Sequence, residues 1–194
     1  LTKFDALIML SAISNDPMGN KFEQVTNSIN FLAVKNIIEP YVALPNKRLV
    51  FASSCSIYGA SEGDAKKEFD SLNPITAYAK SKVAVEKVLQ KCELGDGTTA
   101  TSLRFATACG MSDRLRLDLV LNDFVASALI NNRIEILSDG TPWRPLIHVK
   151  DMSRAIEWAI HRNQNVATPY LAVNIGSSLW NFQVSDLAKA VTEI

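Results

Sequence analysis

The feature that most restricts this chain is a regular alternation of short apolar runs with longer stretches of helical periodicity. Ala6-Leu7-Ile8-Met9-Leu10 is the first run; a Ser-Asn-Asp-Pro-Gly stretch follows, then a helical pattern over 21–39 that Pro40 is expected to stop. Runs over 48–52 and 101–105 read as buried strands, separated by a polar loop over 59–74 and a helix over 77–92. A helix over 117–130, the apolar segment 134–137, a Gly-Thr-Pro turn, a run over 146–149, a helix over 151–162, a run over 171–175 and a closing helix from Ser185 complete the pattern. Stretches of this length between strands act as crossovers. The expectation is therefore α/β, a doubly wound (Rossmann-like) parallel sheet covered on both faces. In such sheets ligands bind beyond the carboxyl ends of the strands, which directs attention to 11–15, 53–59 and 106–110.

Composition narrows the functions that such a fold could serve. Twenty Lys and Arg balance twenty Asp and Glu, so no global field exists to hold a nucleic-acid backbone or an anionic membrane. The longest apolar run, Ala6 to Leu10, is far below the ~20 residues of a membrane span. Cys55, Cys92 and Cys109 are odd in number and lack metal-ligand spacing; they fit a reducing cytoplasm, with no metal expected. A small-molecule substrate is the better expectation. The chain opens on Leu1 without a secretory pattern, which suggests a start inside a domain.

The most informative segment is Ala52-Ser53-Ser54-Cys55-Ser56-Ile57-Tyr58-Gly59, a hydroxyl-rich stretch leaving a strand. Twenty-four residues after Ser54 comes Tyr78, with Lys82 four further on. On a helix these two share a face, so the ammonium can stand beside the phenol and favour its ionised form for proton transfer. Ser54 can hydrogen-bond the same substrate oxygen. A Y-x-x-x-K match alone is weak evidence, but at this distance from a serine-rich strand end it carries weight. Ser56 reads as a structural hydroxyl, Cys55 as a small loop residue, Asp151 as a helix N-cap, His148 as a hydrogen-bonded strand histidine, and Arg144 as a candidate diphosphate clamp.

Across nearly its whole length the chain resembles the extended short-chain dehydrogenase/reductase family, the nucleotide-sugar epimerases and dehydratases typified by UDP-galactose 4-epimerase. The resemblance implies catalytic roles for Ser54, Tyr78 and Lys82. It implies cofactor contacts at Leu10, Ser11, Ala12, Asn27, Ala52, Ser53, Tyr78, Lys82, Phe105 and Ala106. It implies substrate contacts at Ser54, Thr107, Asn122 and Arg144, with Thr107 standing where many members carry asparagine. The implied cofactor is NAD, with NADP open, and the implied assembly a homodimer through the helices over 21–39 and 77–92, with Ile29, Leu32, Val83 and Val88 as apolar candidates. On this reading residues 1–110 form the carboxyl-terminal part of a dinucleotide-binding domain. Residues 111–194 form a smaller interleaved substrate-binding lobe, of which 151–176 packs back on the sheet.

No G-x-x-G-x-x-G turn occurs in these 194 residues, so an amino-terminal truncation is expected, and this chain by itself is expected to bind NAD weakly and to lack activity. Dehydrating members place an Asp-Glu pair after the catalytic hydroxyl residue. Cys55 and Ser56 stand there instead, which points to epimerisation or simple redox chemistry. Two rivals remain: a non-catalytic scaffold of the same fold, and an α/β-hydrolase, since Gly59-Ala60-Ser61-Glu62-Gly63 matches G-x-S-x-G. Against the hydrolase, Ser61 lies well past the strand rather than at a strand-to-helix elbow.

Overall fold

The computed structural model describes residues 2–60, 65–163 and 168–193. Among the described residues, sixteen elements follow one another along the chain. They are β1 (Ala6–Met9), α1 (Asp16–Lys21), α2 (Glu23–Asn27), a π-helical stretch (Ser28–Ala33), α3 (Val34–Val42), β2 (Arg48–Ser54), a 3₁₀ turn (Cys55–Tyr58), α4 (Ala77–Lys91) and β3 (Thr99–Phe105). After them come β4 (Thr107–Cys109), α5 (Val120–Asn131), β5 (Trp143–His148), α6 (Val149–His161), β6 (Tyr170–Ile175), β7 (Asn181–Gln183) and α7 (Val184–Thr192). One sheet has the order β1-β2-β3-β6 and the other the order β4-β5-β7. The parallel, helix-covered α/β fold expected from the alternation is the fold of this chain. Two compact units result, Leu1–Arg104 with Arg154–Asn174, and Phe105–Ser153 with Ile175–Ile194.

In the first unit, β1 and β2 pair in parallel with Leu7 opposite Leu49 and Met9 opposite Phe51. Val34, Ile38, Tyr41 and Val42 recur at helical spacing along α3 and bury against Leu49 and Phe51 of β2, Val85 and Leu89 of α4, and Ala100 of β3. This cluster seats α4 on β2, and so sets where the side chains of α4 lie. Thr76 caps α4, accepting the Ala79 N–H at 3.2 Å. All seven residues of β3 are buried, as a central strand requires.

Several boundaries depart from the sequence expectation for identifiable reasons. The helical stretch begins at Asp16 rather than at 21, because the Asn15 side chain accepts the Met18 N–H at 3.0 Å and Pro17 fits the first turn. Nor does Pro40 end the helix. It lies inside α3, whose last residues Tyr41 and Val42 are almost fully buried, and their burial outweighs one missing N–H bond near a helix end. Asp151 is not an N-cap: α6 starts at Val149, and the Nδ1 of His148 accepts the Lys150 N–H at 3.2 Å in that role. The apolar segment 134–137 lies outside any strand or helix.

In the second unit β4 and β5 run parallel with Cys109 opposite His148, and β5 and β7 antiparallel with Arg144 opposite Phe182. Cys109, Phe124, Leu146, Val184, Leu187 and Ala188 form its core. Gly110, at φ +106°, has no room for a side chain, since a Cβ would stand 2.6 Å from Nε2 of His148.

Candidate active site

β2 ends at Ser54, which also caps the 3₁₀ turn that follows. Its Oγ accepts from the Ser56 N–H at 3.2 Å and from the Ser56 hydroxyl at 3.0 Å, so the Ser54 O–H proton is the part left to donate elsewhere. Ser56 is thereby a supporting hydroxyl. The turn closes at Gly59, at φ +73°, where a Cβ would stand 2.2 Å from the carbonyl oxygen of Asn73. Asn73 in turn donates its N–H to the carbonyl of Ile57 at 3.0 Å. Glycine is required there because the loop folds back against the turn.

Tyr78 and Lys82 lie on one face of α4, as their spacing demands. The Lys82 Nζ donates to the carbonyl oxygen of Ala52 at 2.7 Å and stands 5.2 Å from the Tyr78 ring centre and 4.7 Å from that of Phe51. Lys82 is 2 % exposed, and burial lowers its pKa to about 8. The unfolded chain holds that proton up to about 10.4, so between the two values it binds more protons than the folded one and stability rises with pH. The penalty for the buried charge is complete below about pH 8 and gone above about pH 10.5, a span on the order of 3 kcal/mol. Urea unfolding at pH 7.5 and at pH 10 checks this: wild type is expected to gain on Lys82→Met by that order. Parallel pH dependence of the two would show that Lys82 does not titrate in this window.

A second set of side chains, not anticipated from the sequence, lies beneath this one. Glu86, one turn after Lys82, is 4 % exposed and meets Arg104 of β3 at 2.7 Å, with Arg104 Nε also reaching both carboxylate oxygens. Burial alone would lower the Arg104 pKa; the hydrogen bonds and charge of Glu86 more than offset it and hold it above its ordinary value. Ser53 donates its hydroxyl to Glu86 at 2.6 Å, and Arg104 donates to the Tyr58 hydroxyl at 2.8 Å, which donates to Asn174 at 2.7 Å. The available signal was a single charge near the carboxyl end of an otherwise uncharged strand, Arg104 within Thr99–Phe105. Asn30 was also missed. It is 2 % exposed, and its side chain accepts the Ile13 N–H at 2.8 Å and donates to the Ile13 carbonyl at 2.9 Å, pinning the segment after β1.

Among the remaining candidates, Leu10 and Ser11 are exposed and Ala12 half-buried just past β1, and Asn27 is exposed at the end of α2. Ala52 offers its carbonyl to Lys82, whereas the Ser53 hydroxyl points to Glu86 and the residue is 3 % exposed. These residues, with Ser54, Tyr78 and Lys82, belong to the first unit; Phe105, Ala106, Thr107, Asn122 and Arg144 belong to the second. Phe105 and Ala106 are buried, and Ala106 donates its N–H to the carbonyl of Ile175 at 2.9 Å. Thr107 is half-buried at the start of β4. Asn122 donates to the carbonyl of Arg116 at 3.0 Å, and the exposed Arg144 donates to the carbonyl of Trp143 at 2.9 Å. Ser61, with Glu62 and Gly63 of the G-x-S-x-G match, lies outside the described residues.

A cavity of about 650 Å³ lined by Asp5, Arg48, His161 and Arg162 opens at the amino end of β2, away from Ser54. Its Arg162 is committed to the Thr101 hydroxyl and to the carbonyls of Ala100, Thr168 and Pro169. The candidates Ser54, Tyr78 and Lys82 lie apart from that cavity, at the carboxyl end of β2 and on α4. Among the described residues no cluster of His, Cys, Asp and Glu could hold a metal ion, and no helix is long and apolar enough to cross a membrane.

Residues 1–176 match the NAD dependent epimerase/dehydratase family. The chain belongs to that family. Curated relatives include an uncharacterized UDP-glucose epimerase, YtcB, of Bacillus subtilis, 26% identical over 90% of this chain and 54% of the relative. The UDP-glucose 4-epimerase of Lactobacillus helveticus is 25% identical over 99% of this chain and 63% of the relative. In fold the chain is similar to MoeE5 in complex with UDP-glucose and NAD, with a TM-score of 0.85 and 24% identity over 98% of this chain and 62% of that one. The chain thus spans roughly half to two-thirds of the length of the epimerase/dehydratase family members it matches.

Proposed function

We propose that the full-length protein is an NAD-dependent epimerase or oxidoreductase acting at a hydroxyl-bearing carbon of a nucleotide-activated sugar, with Ser54, Tyr78 and Lys82 as its catalytic residues. The observation that carries this reading is the Lys82 ammonium, held by the Ala52 carbonyl with Tyr78 beside it at the end of β2. The donor set fits a dinucleotide: a phenol and an ammonium side by side can bond the hydroxyls of its ribose, and the segment pinned by Asn30 together with Asn27 and Ala52 would line it. When bound, NAD would supply a hydride acceptor and, in its reduced form, a hydride donor. Tyr78 takes the hydroxyl proton as the carbon–hydrogen bond breaks and returns it when that bond reforms, so epimerisation leaves no net redox change. Lys82 stabilises the negative charge on the phenol oxygen. Ser54, its lone pairs occupied by Ser56, donates a hydrogen bond to the substrate oxygen. Thr107, Asn122 and Arg144 are the proposed substrate contacts, Arg144 as the diphosphate clamp.

Cys55 and Ser56 follow Ser54 in place of the Asp-Glu pair that the resemblance associates with dehydration, so loss of water is not expected. Incubating the full-length protein with a panel of nucleotide-hexoses and NAD tests this by product mass. Unchanged mass with a new sugar configuration, or a shift of two hydrogens, is the expected result. Efficient loss of one water would place an acid and a base elsewhere in the site.

The full-length protein is further proposed to be a homodimer. Met18 of α1, Phe22 between α1 and α2, Val25 of α2, and Ile29 and Leu32 of the π-helical stretch are all exposed apolar side chains on this segment. Val83 packs in a buried cluster with Ile57 and Tyr58, and Val88 packs against the α3–β2 core, so neither adds to that exposed set. Sedimentation should return twice the subunit mass, and a strictly monomeric mass would overturn the proposal.

A further inference from the structure

We propose that the buried Glu86–Arg104 pair is a positioning device for the candidate site, holding the strand end that bears Ser54 against the helix that bears Tyr78 and Lys82. The proposal rests on the function proposed above and extends it to residues that touch neither substrate nor cofactor.

The two side chains are 5 % and 7 % exposed, and Arg104 grips both carboxylate oxygens through its fork. Taking such a pair out of water costs much of what its attraction returns, and apolar residues of similar volume often stabilise a fold as well. A carboxylate gripped by a planar fork has, however, one favoured geometry, which an apolar contact lacks. That geometry is passed on along two routes. Glu86 accepts the hydroxyl of Ser53, the neighbour of Ser54 on β2, while Lys82, one turn earlier on the same helix, holds the carbonyl of Ala52. Two consecutive residues of the strand end, Ala52 and Ser53, are thus registered against successive turns of α4. On the other side Arg104 donates to Tyr58, the last residue of the turn that Ser54 caps, and to the carbonyl of Glu68. Tyr58 is held in turn by Asn174, whose N–H donates to the Glu68 carboxylate at 2.9 Å. The turn presenting Ser54 is therefore fixed at both ends by one ion pair.

The test compares Ser53→Ala, which cuts only the link to the strand, and the apolar pair Glu86→Leu/Arg104→Met, which removes the device, with the wild-type full-length enzyme. Positioning predicts that kcat per folded molecule falls between about tenfold and about a hundredfold in both. KM for the nucleotide-sugar and affinity for NAD, measured by titration, should stay within about twofold, because the Ser53 hydroxyl is spent on Glu86 and all three side chains are buried. A role in stability alone would lower Tm and leave kcat unchanged, and that outcome overturns the proposal. So does a selective loss of NAD affinity in Ser53→Ala, which would make Ser53 a cofactor contact. Absence of any turnover by wild type on nucleotide-hexoses would instead sink the functional reading and this inference with it, so the two failures are distinguishable.

Discussion

Tyr78→Phe is expected to lower turnover of the full-length protein by about 10²- to 10⁴-fold, the range supplied by a positioned proton-transfer group. The phenylalanine keeps the ring beside the Lys82 ammonium, 5.2 Å from its centre, and removes only the hydroxyl proposed to exchange the proton. Tyr78 is half-buried, and α4 is seated by Val85 and Leu89 in the core, so melting temperature should scarcely move. Steady-state rates with substrate saturating, beside a thermal melt, decide the matter. Activity near wild type would remove Tyr78 from the chemistry and with it the role assigned to Lys82.

Arg104→Met should be among the most destabilising single changes in the first unit. It leaves the Glu86 carboxylate, 4 % exposed, without its cation, and Tyr58 without a donor. Breaking one side of a buried pair costs about 3–5 kcal/mol, a large part of the stability of an ordinary domain. Adding Glu86→Leu removes the stranded charge, and the double variant should recover most of that loss in urea unfolding. If Arg104→Met alone unfolded at the wild-type midpoint, the pair would not be held as tightly in solution as its geometry requires.

Fold class and the central motif were legible because they depend on local periodicity. Apolar runs bounded by helical stretches specify strands and crossovers whatever lies around them, and the spacing of Tyr78 and Lys82 places them on one face of any helix. The start of the first helical stretch was equally local, written in Asn15 and Pro17, and was passed over because a Ser-Asn-Asp-Pro-Gly composition also reads as loop.

Other features were decided by partners distant in the chain. Pro40 stays within a helix only because Tyr41 and Val42 find a core built by β2, α4 and β3. Asp151, by contrast, loses the cap through a local contact: α6 starts at Val149 directly after β5, and the His148 imidazole accepts the Lys150 N–H two residues on. Ser53 and Ser54 are identical neighbours in sequence, yet one hydroxyl donates to a buried carboxylate and the other accepts from its own turn. What the sequence determined by itself were the alternation of elements and the face shared by Tyr78 and Lys82, since both follow from backbone repeats. Which serine turns inward, and that Glu86 meets Arg104 across 18 residues of chain, were decided by the tertiary structure alone. A buried charge is tolerated only where packing brings its counter-charge, and no local pattern encodes that meeting.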